Sequence, residues 1–315
     1  RTIGKRVFGD SFTVNEGKGP VQQDLFGNAV ALPAAKEIEN QPSLFDTPID
    51  AKNIENTPHD YQLIDTAEKR KALASLLLQQ QKISFDTETT GIDANLVDLV
   101  GLSFSIEAGK GYYIPTPQNK EETLAILEDF RPVFEDERII KIGQNIKYDL
   151  LVLKWYGFGL KGQLFDTMLA HYLIDPDTRH NMDVLSENYL GYTPISITSL
   201  IGAKGKGQLN MKDVPVEKVV DYAAEDADVT LQLANVFEPM LQERNAQKLA
   251  SEIENPLIYV LADMEKEGVR IDIDTLSAYS AQLQEEITKA ELNVYEKAGL
   301  KFNLASPKQL GEVLF

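Results

Sequence analysis

Cysteine is absent from all 315 residues, which excludes disulfides, thiolate zinc sites and cysteine nucleophiles together and makes a reducing, cytoplasmic setting the expectation. Histidine is nearly as scarce. His59, His171 and His180 are the whole supply, so an imidazole-rich zinc centre is disfavoured. No apolar run approaches the roughly 18 residues that span a bilayer, and Arg1 to Asp10 lacks the apolar stretch of a signal peptide. Neither a membrane anchor nor a leader is therefore expected, and the missing initiator Met suggests a piece of something longer. Positive charge is short as well: 31 basic residues against 49 acidic leave a net charge of −18. A generally basic nucleic-acid-binding surface is excluded, so any such affinity needs a local device such as bound metal.

What is present is a globular composition, 43% apolar and 25% charged, in a chain long enough for two domains at roughly 100–200 residues each. Residues 1–60 read as an acidic linker. From Asp10 to Asp65 ten acidic residues face three lysines, a net of −7, without helical or strand periodicity. A short partner-binding motif around Gln22 to Phe26 or Ser43 to Phe45 is the alternative use of this stretch. Order is expected from Tyr61. A helix capped by Thr66 runs from Ala67 to Gln81, and a strand from Lys82 to Asp86 is bounded by the Thr89-Thr90-Gly91 turn. Leu99 to Ile106 and Gly111 to Pro115 form a hairpin, Glu121 to Phe134 a helix, Arg138 to Gly143 a fourth strand and Asn145 to Trp155 a helix. Further helices are expected over Phe165 to Ile174, Met182 to Leu190 and Val216 to Arg244. This strand and helix mixture is an α/β layered domain over 61–250. Residues 251–315 change character, with a break at Gly268, a short Val269-Arg270-Ile271 extension, a long helix Ile273 to Ala298 and a truncated helix from Pro307.

Three segments concentrate acidic side chains where chemistry can use them. Asp86 and Glu88 are two apart on a strand, so both carboxylates project to one face and together could hold a divalent ion. Alone, Asp-Thr-Glu-Thr-Thr-Gly is equally a solvated turn. Gly143-Gln144-Asn145-Ile146-Lys147-Tyr148-Asp149 passes from strand to helix, with Asn145 a candidate cap and Asp149 one turn further on. In Tyr222-Ala223-Ala224-Glu225-Asp226-Ala227-Asp228, Tyr222 and Asp226 share a helix face, and the alanines leave room for something to approach.

Taken together, in this order and at these separations, the three segments resemble the motifs of the 3′-5′ proofreading exonuclease domain of the bacterial DNA polymerase I family. Phe165-Asp166-Thr167-Met168-Leu169 and Gly205-Lys206-Gly207 are similar to intervening family segments. The likeness extends through Gly268-Val269-Arg270-Ile271-Asp272 and Phe302 to Leu310, which look like the opening of the polymerase thumb. Residues 1–60 would then follow a 5′-nuclease domain. The resemblance implies a ribonuclease H-like fold, a mixed sheet flanked by helices. It also implies Asp86, Glu88, Asp149 and Asp226 as metal ligands for two Mg²⁺ ions, with Mn²⁺ able to substitute, and Tyr222 as the residue orienting the attacking water. A phenol with an ordinary pKa near 10 suits positioning better than proton abstraction. The implied substrate contacts are Thr87, Ile92, Gln144, Asn145, Tyr148 and Arg179. Of these, Ile92 is also readable as core, Tyr148 as packing and Arg179 as surface charge. The implied partner is a single-stranded or frayed DNA 3′ end, which a mismatch offers at lower unpairing cost. A monomer beside the polymerase and 5′-nuclease domains of a longer bacterial, nucleoid-associated protein is expected. The competing readings are an RNase D-like exoribonuclease and a catalytically silent scaffold.

Overall fold

The computed structural model describes residues 52–205 and 207–315. The acidic stretch before residue 52, its two short motifs and Lys206 of the Gly205-Lys206-Gly207 segment lie outside the described residues. The described chain builds a mixed six-stranded sheet in the order β1-β4-β3-β2-β5-β6. Its strands are β1 (Asp60–Leu63), β2 (Lys82–Thr89), β3 (Leu99–Glu107), β4 (Lys110–Pro115), β5 (Ile140–Gly143) and β6 (Leu164–Asp166). The hairpin β3-β4 and the pair β2-β3 are antiparallel, whereas β1-β4, β2-β5 and β5-β6 are parallel. Helices α1 (Ala67–Leu77), α2 (Lys120–Phe134), α3 (Ile146–Trp155), α4 (Thr167–Ile174), α5 (Met182–Leu190), α6 (Ile197–Ile201) and α7 (Val216–Glu243) surround it. A π-helical turn over Ala250–Glu254 leads to α8 (Asn255–Glu267), α9 (Ile273–Ala298) and α10 (Pro307–Leu314). Among the described residues no helix is long and apolar enough to cross a membrane.

The two faces of β2 explain the architecture. Phe85 turns to the aromatic core, its ring 5.8 Å from Phe134, while Phe104 of β3 stacks 5.3 Å from Phe130. These bury against α2, which Asn119 caps by accepting from the Glu121 and Glu122 amides. The opposite face carries Tyr113 and Ile142 toward its sides and small groups between them. Ser84, Ser103, Ser105, Gly101 and Gly111 are buried there, and Ala223, Ala224 and Ala227 of α7 pack on them. Helix α7 therefore lies unusually near the sheet: a Cβ placed on Gly111 would fall 2.6 Å from the Ala224 carbonyl oxygen. Further on, α8 sends Ile258 and Ala262 into the main core and salt-bridges α3 through Lys147 with Glu265 and Lys154 with Asp263.

Several boundaries depart from expectation. Phe165 and Asp166 are strand, because β6 pairs with β5 before Asp166 caps the helix that follows. β1 was not anticipated, its four residues being too short to show a period. The Asp86 strand runs on through Glu88 to Thr89, held by pairing with β3, and α1 stops at Leu77 instead of Gln81.

Candidate active site

β2 carries Asp86 and Glu88 on the face turned toward α7, and α7 brings Asp226 down to them. One carboxylate oxygen from each of the three lies within 4.8 Å of the others, a spacing that can hold a metal ion. Glu88 and Asp226 are buried, while Asp86 is partly exposed at the base of a cleft of about 690 Å³. Asp149 is buried nearby on α3 but outside this group. Its Oδ1 accepts from the Thr87 amide at 3.0 Å and the Thr87 hydroxyl at 2.6 Å. Thr87 points to the other face of β2 from its neighbours, and Asp149, bonded to it, also lines the cleft.

The donor set suits a hard divalent cation. Glu88 Oε1 and Asp226 Oδ1 are buried and make no hydrogen bond with any described residue, an arrangement that is costly unless something positive satisfies them. Burial pushes the Asp86 carboxyl up to about 7. Burial, and then the neighbouring Asp86 charge, hold Glu88, Asp149 and Asp226 well above the usual carboxylate range. Oxygen-only ligands of this kind select Mg²⁺ or Mn²⁺ over softer metals. Tyr222, one turn before Asp226 on α7, is raised by burial and by the Asp226, Glu88 and Asp86 charges. Its phenol therefore stays protonated.

A family model described as 3′-5′ exonuclease matches residues 61–242. The chain belongs to the 3′-5′ exonuclease family. It is 37% identical over 267 residues to DNA polymerase I of Pseudomonas aeruginosa, covering 81% of this chain and 29% of the relative. Against DNA polymerase I of Borreliella burgdorferi the identity is 35% over 293 residues, covering 90% and 32%. The exonuclease chain thus spans under a third of these relatives' length. Among solved structures, the polymerase domain of M. smegmatis Pol1 with DNA primer-template and dNTP shares the fold at a TM-score of 0.65 and 24% identity, over 81% of this chain and 40% of that one. Brucella melitensis NrnC with bound Mg²⁺ shares it at a TM-score of 0.52 and 21% identity, over 69% and 98%.

Of the residues singled out from the sequence, the exonuclease cleft is lined by Asp86, Thr87, Glu88, Ile92, Gln144, Asn145, Tyr148, Asp149, Tyr222 and Asp226. Ile92 is 96% exposed at its mouth and so is not core. The Tyr148 hydroxyl donates to the Gly91 carbonyl at 2.6 Å, tying α3 to the turn that carries Ile92. Arg179 is exposed and does not line the cleft. The expected side-chain cap by Asn145 is not made: Asn145 is left-handed at φ 59° and ψ 46°, and its side chain caps nothing. The capping acceptor comes from elsewhere, since Asp166 takes the Ile146 amide at 2.8 Å. Of the far wall the sequence pointed only to Gly205; Ile197, Ile201, Gln208, Leu209, Asn210 and Met211 were missed. The five-residue α6 and the segment after it are too short and irregular to show a period, although Asn210 Nδ2 donates to the Thr90 carbonyl at 2.7 Å and locks this wall over the β2 turn.

Proposed function

We propose that this chain is a metal-dependent 3′-5′ exodeoxyribonuclease that trims single-stranded or frayed DNA 3′ ends. The observation that carries this reading is the pair of buried, unpartnered carboxylate oxygens of Glu88 and Asp226 beside Asp86, at the floor of an open cleft. Asp86, Glu88 and Asp226 would hold one Mg²⁺ and Asp149 would help hold a second, with Mn²⁺ able to substitute. Bound there, such ions supply the positive charge that hydrolysis of an anionic phosphodiester requires at both the attacking and the leaving oxygen. Tyr222, protonated and next to Asp226, orients the attacking water by hydrogen bonding. The water oxygen bonds to the terminal phosphorus, the bond to the 3′ oxygen of the preceding nucleotide breaks, and that oxygen takes a proton. A nucleoside 5′-monophosphate leaves.

Ile92 presents an apolar side chain to the terminal base, while Thr87, Gln144, Asn145 and Tyr148 contact the end of the strand from the cleft floor. Arg179, outside the cleft, would meet phosphate farther along. Selectivity for mismatched ends follows from the lower unpairing cost of a frayed terminus. The similarity to longer DNA polymerase I relatives supports a proofreading role; on this reading the chain works beside polymerase and 5′-nuclease domains, as a monomer in the bacterial cytoplasm.

The test is degradation of a 5′-labelled single-stranded DNA oligonucleotide in Mg²⁺, with an RNA oligonucleotide alongside. A ladder of shortened DNA, mononucleotide product, loss in EDTA and loss in Asp226→Ala are expected. Undiminished cleavage by Asp226→Ala refutes the site, and preferential loss of the RNA favours an exoribonuclease.

A further inference from the structure

We propose that Asp166 is a positioning residue for the substrate end of the cleft: it caps α3 from a neighbouring strand and so releases Asn145 to face the terminal nucleotide. This rests on the nuclease reading above. Asp166 is 2% exposed, and its carboxylate accepts four backbone amides from two helices. Two belong to the turn that opens α3, Asn145 at 3.3 Å and Ile146 at 2.8 Å. The other two open its own helix α4, Met168 at 2.9 Å and Leu169 at 3.1 Å. One buried anion thus joins two helix N-termini, where amides and helix dipoles both favour negative charge.

The consequence falls on Asn145. An asparagine at this position ordinarily spends its side chain on capping, whereas here it sits left-handed, lines the cleft and makes no side-chain hydrogen bond with any described residue. Thr167, next to Asp166, fixes the neighbouring Gln144. Its hydroxyl donates to the Gly143 carbonyl at 3.2 Å and to Gln144 Oε1, while Gln144 Nε2 donates to the His180 carbonyl at 2.7 Å. From the far side, the Asp166 amide donates to Asn255 Oδ1 of α8 at 3.4 Å. None of these contacts touches Asp86, Glu88 or Asp226, which stand on β2 and α7. Asp149, the remaining carboxylate, shares α3 but is held by the Thr87 amide and hydroxyl of β2, so Asp166 acts on substrate placement and leaves the Asp86, Glu88 and Asp226 group in place.

Asp166→Ser separates its two tasks, because serine still caps α4 as an ordinary N-cap but is too short to reach α3. In the full chain, we expect its KM for a single-stranded DNA oligonucleotide to rise about 10- to 100-fold, with Mn²⁺ affinity by calorimetry unchanged. Asn145→Gly, which keeps the left-handed backbone and removes the side chain, should raise KM similarly, and the two changes together should add little to either alone. A parent-like KM in Asp166→Ser, full additivity with Asn145→Gly, or loss of Mn²⁺ binding in step with activity overturns the inference. Should Asp166→Ser fail to fold, a parent-like KM in Asn145→Gly alone overturns it. If the parent chain cleaves no oligonucleotide at all, the nuclease reading itself has failed.

Discussion

Replacing Gly111 by alanine tests whether the metal site depends on how closely α7 approaches the sheet. The new methyl would lie 2.6 Å from the Ala224 carbonyl oxygen and 2.8 Å from the Ala224 Cβ, about 0.8 Å short of the 3.4 Å at which ordinary contact begins. The obstacle is helix backbone, so no rotamer relieves it, and Ala224 lies between Tyr222 and Asp226 on the same turns. Overpacking of this kind costs about 1–3 kcal/mol, roughly 2–12 °C of melting temperature in a domain of this size. The effect on function should be larger. Metal–ligand distances tolerate only about 0.2 Å, so lifting α7 takes Asp226 out of register with Asp86 and Glu88. Mn²⁺ affinity by calorimetry at pH 8 should fall about 10- to 100-fold, and exonuclease activity with it. Gly159→Ala is the control, since nothing lies within 4 Å of its added methyl. A folded Gly111→Ala protein that binds Mn²⁺ as tightly as the parent would refute the reasoning.

Stability of the metal-free protein should fall as pH rises from about 4 to about 7. Asp86 is pushed up to about 7 and its three neighbours are also raised, so across that window the folded state holds protons that the unfolded state has released. Melting curves with and without Mg²⁺ should then differ at pH 8 and converge at pH 5; a Mg²⁺ effect equal at both would contradict this. Tyr222→Phe should lower kcat about 10- to 100-fold with KM unchanged, and a pH–rate profile of unaltered shape would agree with a phenol that positions without titrating. Ile92→Ala, at a 96% exposed position, should leave stability within about 0.5 kcal/mol. It should raise KM for single-stranded DNA about 5- to 30-fold, the equivalent of one apolar contact of about 1–2 kcal/mol.

The long helices and the central strands were legible because their periods run for many residues, as in α2 and α7. The short edge strands were not. β1 and β6 have four and three residues, and what makes them strands is pairing with β4 and β5, which no local pattern encodes. The Asn145 cap was misjudged for the same reason: the acceptor that takes the Ile146 amide lies twenty residues later, in Asp166. In the cleft, the contribution of Ile197, Ile201 and Gln208 to Met211 depends on where α6 and the segment after it come to rest, and Asn210 ties that segment to the Thr90 carbonyl.

The run Glu225-Asp226-Ala227-Asp228 shows why composition alone cannot assign a metal ligand. All three acids are buried on one helix, and sequence spacing sets Asp226 apart only by placing it one turn after Tyr222. Tertiary partners sort them. Glu225 receives the Tyr192 hydroxyl at 2.5 Å and the Ile195 amide at 2.6 Å. Asp228 receives the Tyr61 hydroxyl at 2.9 Å, the Gly109 amide at 2.9 Å and Gln232 Nε2 at 3.0 Å. Both are satisfied by the protein and hold the β1 edge and the 192–195 segment against α7. Only Asp226 keeps a buried oxygen without a hydrogen-bond donor among the described residues, and it is the one aimed at two further carboxylates. A fold that supplies donors to both flanking acids and withholds one from the acid between them leaves that oxygen as the one a bound cation would satisfy.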